Sequence, residues 1–96
     1  MANFKLTPAA NADLKDIARY TERKWGREKR NQYIIALDSR FIWLANNPEF
    51  GKRCDEIKDG YLSYPEGRHE IFYRNVKNQI EILGILHQSM DYKQHL

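Results

Sequence analysis

From Ile80 to Leu86 the chain reads Ile-Glu-Ile-Leu-Gly-Ile-Leu, apolar at both parities. A strand with one wet face alternates apolar and polar side chains, whereas one covered on both sides is apolar throughout. The run therefore predicts an inner strand, with Ile80, Ile82 and Leu86 turned one way and Leu83 and Ile85 the other. Upstream, His69-Glu70-Ile71-Phe72-Tyr73-Arg74 reads as a second strand, over 69–76, joined to a strand over 79–87 by the two-residue turn Lys77-Asn78. Helix in a chain this small suffices for one face of such a sheet, so a partner is expected over the other.

The remaining elements follow from local signals. Asn3 to Leu6 alternates weakly and predicts a short first strand. Thr7-Pro8 supplies an N-cap hydroxyl and a proline at the first helical position, where no amide proton is needed. Ala10, Leu14, Ile17, Ala18, Thr21 and Trp25 then fall on one helical face, and Gly26 ends that helix. A second helix spans about 28–46, with Tyr33, Ile34, Leu37, Phe41, Leu44 and Ala45 on its main apolar face, and Asn46-Asn47-Pro48 closes it. So short a link between helices implies an antiparallel hairpin. The segment 48–60 reads as loop with Gly51 and Gly60 as turn points, 61–64 as a short strand and Pro65-Glu66-Gly67 as a turn. The expected order is β-α-α-β-β-β: a helical hairpin packed on one face of a small, mainly antiparallel sheet, an α+β fold in a single domain over residues 1–96.

Composition narrows the function classes. With 42% hydrophobic and 30% charged residues the chain is an ordinary globular one, and no apolar run reaches the roughly 20 residues that span a bilayer. The N-terminus lacks the pattern of a signal peptide, and the single cysteine, Cys54, excludes an internal disulfide, so a cytoplasmic protein is expected. Cys54 has no second cysteine beside it and the glycines match no phosphate-cradling loop, so neither metal nor cofactor is expected. A net charge of +3 permits an acidic partner or nucleic acid without arguing for either.

Three features bear on function. Ile35 and Ile42, seven residues apart, lie opposite the core face of the second helix, which is either ordinary surface or a partner contact; Trp43, at the edge of the core face, is read as covering the helix hairpin. Lys15, Arg19 and Arg23 form a basic stripe that Lys24, Arg27, Lys29 and Arg30 continue around the helix link, relieved by Glu22 and Glu28. A charge run is usually a solvated face; a helix this basic could also meet an acidic partner or a phosphate backbone, but no aromatic residues interleave here as base-stacking platforms. The third feature is the set Arg68, His69, Tyr73, Arg74, His87, Asp91, Tyr92 and His95. A metal-free RNase needs an acid, a base and arginines at the phosphate, and His87, Arg68 and Arg74 are the residues that would supply them. The structural alternative pairs Arg74 with a carboxylate and leaves His87 as the cap of a strand end.

These residues together resemble the ParE branch of the RelE/ParE toxin superfamily of bacterial toxin–antitoxin modules. The resemblance runs through Leu6-Thr7-Pro8-Ala9-Ala10, Asp13-Leu14, Trp25-Gly26, Tyr33 with Leu37, Asn47-Pro48 with Gly51, Cys54-Asp55-Glu56-Ile57 and Gly60-Tyr61. Its most specific parts are His69-Glu70-Ile71-Phe72-Tyr73-Arg74 and Ile85-Leu86-His87-Gln88-Ser89-Met90-Asp91.

The resemblance implies a type II toxin bound and silenced by a ParD-like antitoxin, with DNA gyrase as target and no enzymatic step. Operator DNA would be met only indirectly, through the antitoxin, and no membrane is involved. On this reading Ile35, Ile42, Ile80, Ile82 and Leu86 are expected to bind antitoxin, and Arg74, His87, Met90 and Asp91 to contact the target. Many members of the family carry arginine where Gly84 and Ser89 stand here, so this chain lacks two charges in the region linked to poisoning. Two alternatives stay open: a RelE-like ribosome-dependent mRNA endoribonuclease, with no catalytic residue expected unless His87, Arg68 and Arg74 serve, and a non-toxic antitoxin-binding relic.

Overall fold

The computed structural model describes residues 3–96, apart from the side chains of Lys93 and His95. Strand β1 (Asn3–Leu6) leads into helix α1 (Pro8–Trp25), and helix α2 (Arg27–Asn46) follows directly. A 3-10 turn (Pro48–Phe50) precedes β2 (Lys52–Arg53), β3 (Leu62–Glu66), β4 (His69–Val76) and β5 (Gln79–His87), and a single turn of helix, α3 (Tyr92–His95), comes last. The sheet order is β1-β5-β4-β3-β2, antiparallel except for the parallel pairing of β1 with β5. The expected α+β architecture is the observed one; the short edge strand β2 and the terminal turn α3 carry too few residues to leave a periodic signal.

Local chemistry sets the boundaries. The Thr7 hydroxyl accepts the Ala10 amide proton at 3.1 Å, capping α1. Gly26 is the whole link between the helices and takes φ 96°, a conformation that L side chains resist. The turn after β4 places both Lys77 (φ 36°) and Asn78 (φ 59°) in the left-handed region, as a two-residue hairpin of right-twisted strands requires.

The main core lies between the helical hairpin and one sheet face. Ala10 and Ile17 from α1 and Leu37, Phe41, Leu44 and Ala45 from α2 meet Ile71, Tyr73, Ile80, Ile82 and Ile85. The assignment of faces on β5 differs from the simple alternation. Phe72 is opposite Gly84 while Tyr73 is opposite Ile82, so Leu83 is an extra residue on β5. This bulge shifts the parity, sending Ile85 to the helix side with Ile80 and Ile82, and Leu86 to the opposite side with Phe72 and Cys54.

The second face is also partly covered by the chain itself. Ile57, Tyr61, Leu83, Tyr92 and Leu96 pack on the small cluster of Cys54, Phe72 and Leu86. Trp25, placed by periodicity on the buried face of α1, is instead 54% exposed. Every residue from Glu22 to Lys29 is exposed, so the hairpin tip stands clear of the main core and Trp25 stands with it. Trp43 packs against the edge of the main core. Its ring lies 5.2 Å from Phe50 and 5.3 Å from Tyr64, sealing α2 against the 3-10 turn and β3.

Candidate functional site

The end of the sheet at the β3–β4 turn and the β5 terminus gathers most of the polar residues. Tyr33, on the core face of α2, reaches over the turn. Its hydroxyl is 2.6 Å from His69 Nδ1 and 3.2 Å from the Glu66 carbonyl, and it accepts the Arg68 amide proton at 3.2 Å. One phenol therefore ties α2 to two strands and the turn between them. Gly67 must remain small, because a Cβ there would come within 2.7 Å of the Tyr33 ring. Beside this hub Arg40 donates to Glu66 at 2.8 Å and lies over the Trp43 and Tyr64 rings.

His69 and His87 stand directly opposite on β4 and β5, with rings edge to face and centroids 5.5 Å apart. Burial first, and the neighbouring His87 second, lower the His69 pKa to about 4, so this imidazole is neutral near pH 7. Burial raises the Tyr33 pKa, keeping the phenol protonated. His87 is exposed, and its Nδ1 lies 2.7 Å from the Ser89 hydroxyl and accepts the Ser89 amide proton at 3.2 Å. The main chain continues the closure, since Gln88 N–H donates to the Arg68 carbonyl at 3.0 Å and Met90 N–H to the His87 carbonyl at 2.9 Å.

On the second sheet face the same end opens into a cleft of about 200 Å³. Phe72, Leu86 and Cys54 form its apolar part, Glu70, Glu56, Lys52 and Ser63 its polar part, and His87, Gln88, Met90 and Tyr92 its rim. Tyr92 stacks on Phe72 at 5.4 Å and donates to Glu56 at 3.4 Å, holding the terminal turn over the face. Among the described residues no three of His, Cys, Asp and Glu converge on a point that could hold a metal ion.

The residues singled out in the sequence fall into separate groups. Arg68, His87, Met90 and Asp91 share this end of the sheet. Arg74 does not: it pairs across the strands with Glu81, at 2.8 Å, near the opposite end of β5. About five residues of strand separate it from His87, roughly 17 Å at strand rise. The ion pair is the structural alternative foreseen for Arg74, and an RNase centre of His87, Arg68 and Arg74 is not assembled. Tyr73 is fully buried, its pKa pushed up to about 12 chiefly by burial, and its hydroxyl donates to the Pro48 carbonyl at 2.8 Å. The side chain of His95 lies outside the described residues.

The five apolar residues expected to meet a partner also divide. Ile35 is 65% exposed and Ile42 50%, whereas Ile80 and Ile82 are buried beneath the helices and unavailable. Apolarity at both parities signals burial without saying what covers each face. Leu86 is buried on the floor of the cleft.

The two positions lacking arginine have distinct surroundings. A Cβ on Gly84 would lie 3.2 Å from the Leu96 side chain and 3.3 Å from Asp13 Oδ2, so glycine lets the C-terminal leucine close over β5. Ser89 is the hydroxyl that engages His87. Sequence reasoning missed the role of Tyr33 because its spacing marked only a core face; nothing local records where its hydroxyl points.

The fold of a helical hairpin over one face of a five-stranded mixed sheet is similar to that of a solved structure, "Chromosomal ParDE TA system from P. aeruginosa". The TM-score is 0.75 at 21% identity, covering 91% of this chain and 96% of that one. The family described as "ParE toxin of type II toxin-antitoxin system, parDE" matches residues 4–92. Toxin ParE1 of Mycobacterium tuberculosis is 36% identical over 96 residues, covering 99% of this chain and 98% of the relative. Toxin ParE1 of Caulobacter vibrioides is also 36% identical, over 100% and 99% of the two chains, and Toxin ParE of Escherichia coli is 30% identical over 95% and 89%. The chain belongs to the ParE toxin family of type II toxin–antitoxin systems.

Proposed function

We propose that this toxin is neutralised by direct binding of a cognate ParD-like antitoxin and acts in the cytoplasm by inhibiting DNA gyrase, as a binding poison with no chemical step of its own. The observation that carries the reading is the family match along residues 4–92, nearly the whole chain. Two apolar surfaces suit an antitoxin segment. One is the Ile35 and Ile42 pair on α2, seven residues apart and both half-exposed or more. The other is the cleft over Phe72 and Leu86, whose rim carries His87 and Met90. Apolar side chains inserted there would gain burial that the free toxin lacks. His87, Met90 and Asp91 are the target contacts of this reading, and Arg74 would act apart from them. Operator DNA is reached through the antitoxin.

A supercoiling assay with purified toxin tests the target: gyrase activity should fall as toxin is added, and full activity at large toxin excess would sink the gyrase assignment. The antitoxin surface is tested separately by Ile35→Asp with Ile42→Asp. Burying two carboxylates in an apolar contact should weaken antitoxin binding by at least about tenfold, seen by calorimetry.

A further inference from the structure

The tip of the helical hairpin joins two properties that the sequence shows only apart. Residues 15–30 carry seven Lys or Arg against three Asp or Glu, a net +4 in a chain whose total is +3, so all the excess positive charge sits here. Tyr20 is 52% exposed and Trp25 54%, two large rings on the same end of α1. Lys24 stands between them, its Nζ 5.6 Å from the Tyr20 ring centroid and 5.9 Å from that of Trp25, and it donates to the Tyr20 hydroxyl at 3.2 Å. Aromatic residues thus do interleave with the basic run, contrary to the expectation from sequence, because the protruding tip leaves Trp25 outside the core.

The anions nearby neutralise only part of this charge. Arg30 pairs with Glu22, and Arg19 with Asp16. Arg23, Lys24, Arg27 and Lys29 are exposed around Gly26. Cations arranged about accessible rings suit a polyanion that also presents flat apolar faces. A nucleic-acid strand with unstacked bases offers both: phosphates for the cations and bases for the rings. A plain run of carboxylates such as polyglutamate offers only the first, and a paired duplex keeps its bases out of reach.

We propose that the hairpin tip is a binding surface for single-stranded DNA, with Tyr20 and Trp25 as stacking platforms and Arg23, Lys24, Arg27 and Lys29 as phosphate contacts. The surface lies on the helices and stands independently of the gyrase assignment.

Titrating the toxin with a fluorescein-labelled 20-nucleotide single strand tests it by anisotropy. The probe should bind at low salt, with log K falling linearly against log salt. Trp25→Ala and Tyr20→Ala should each weaken binding by about tenfold, since stacking contributes about 1–3 kcal/mol per base. Arg23→Ala combined with Lys24→Ala should make the salt slope shallower by one to two units. All four residues are exposed, and circular dichroism checks that each variant stays folded. Several outcomes would overturn the proposal: no binding of the strand at 50 mM salt, equal binding of polyglutamate, tighter binding of the matching duplex, or indifference to the ring substitutions. Supercoiling inhibition measured on the same preparations separates the two readings, because a toxin that stops gyrase yet ignores the strand defeats only this one.

Discussion

Gly51 shows how much a single small residue can decide. Its backbone is extended, with φ −69°, so any residue could adopt its conformation. What it cannot carry is a side chain, because a Cβ would overlap the hydroxyl of Tyr73. That ring is fully buried and its hydroxyl is bonded to Pro48, so it has no free direction in which to retreat. Gly51→Ala should cost about 2–4 kcal/mol, an overpacking penalty plus a lost hydrogen bond. The measurement is the urea midpoint, and a wild-type value would refute the overlap. The sequence marked Gly51 as a turn point, and the reason for glycine was legible only once Tyr73 was placed beneath it. Tyr33 teaches the same lesson: periodicity put it on the right face, but its bonds to the turn belong to residues 33 to 36 positions away.

At the scale of elements, β5 is the organising strand, and its edge changes partner midway. Over Gln79 to Ile82 it pairs with β1; beyond that the chain of β1 has turned into α1. The start of α1 then takes over the edge. Thr7 N–H donates to the Ile82 carbonyl at 3.1 Å and the Thr7 hydroxyl to the Leu83 carbonyl at 3.3 Å. Asp13 Oδ2 accepts the Ile85 amide proton at 3.0 Å. A helix side chain thus replaces a missing strand. Asp13→Ala would leave a half-buried N–H without its acceptor and should destabilise by about 1–3 kcal/mol, whereas Asp13→Asn keeps an acceptor oxygen and should lose less. Thermal melts of the two variants give the order, and equal melting temperatures would contradict it. The bulge at Leu83 belongs to this scale too. Strict alternation grouped Leu86 with Ile80 and Ile82, but one extra residue reversed every position after it. No residue type at Leu83 announces a bulge, so the register had to come from the pairing with β4.

For the whole molecule, the histidine pair predicts how stability depends on pH. His69 titrates near 4 in the folded chain and near 6.5 when unfolded, with Tyr33 and His87 facing it. Between those values the unfolded chain binds the extra proton, so the His69 contribution is present above pH 6.5 and is lost as pH falls toward 4. The melting temperature should drop from pH 7.5 to pH 5, and His69→Phe should flatten that slope; a wild-type melting temperature constant across the interval would refute the assignment. The elements themselves were set by short-range chemistry: Thr7-Pro8 starts a helix, Gly26 ends one, and Lys77-Asn78 closes a hairpin within a few residues of chain. The order β-α-α-β-β-β and the family signature in 69–74 and 85–91 were therefore present in the sequence alone. Tertiary structure decided what covers what. It buried Ile80 and Ile82 under the helices, folded the chain's own terminus over part of the second face, separated Arg74 from His87 by most of a strand, and left Trp25 in solvent. Each of these depends on contacts between residues distant in the chain, and apolar periodicity reports that a side chain is buried without naming its neighbour.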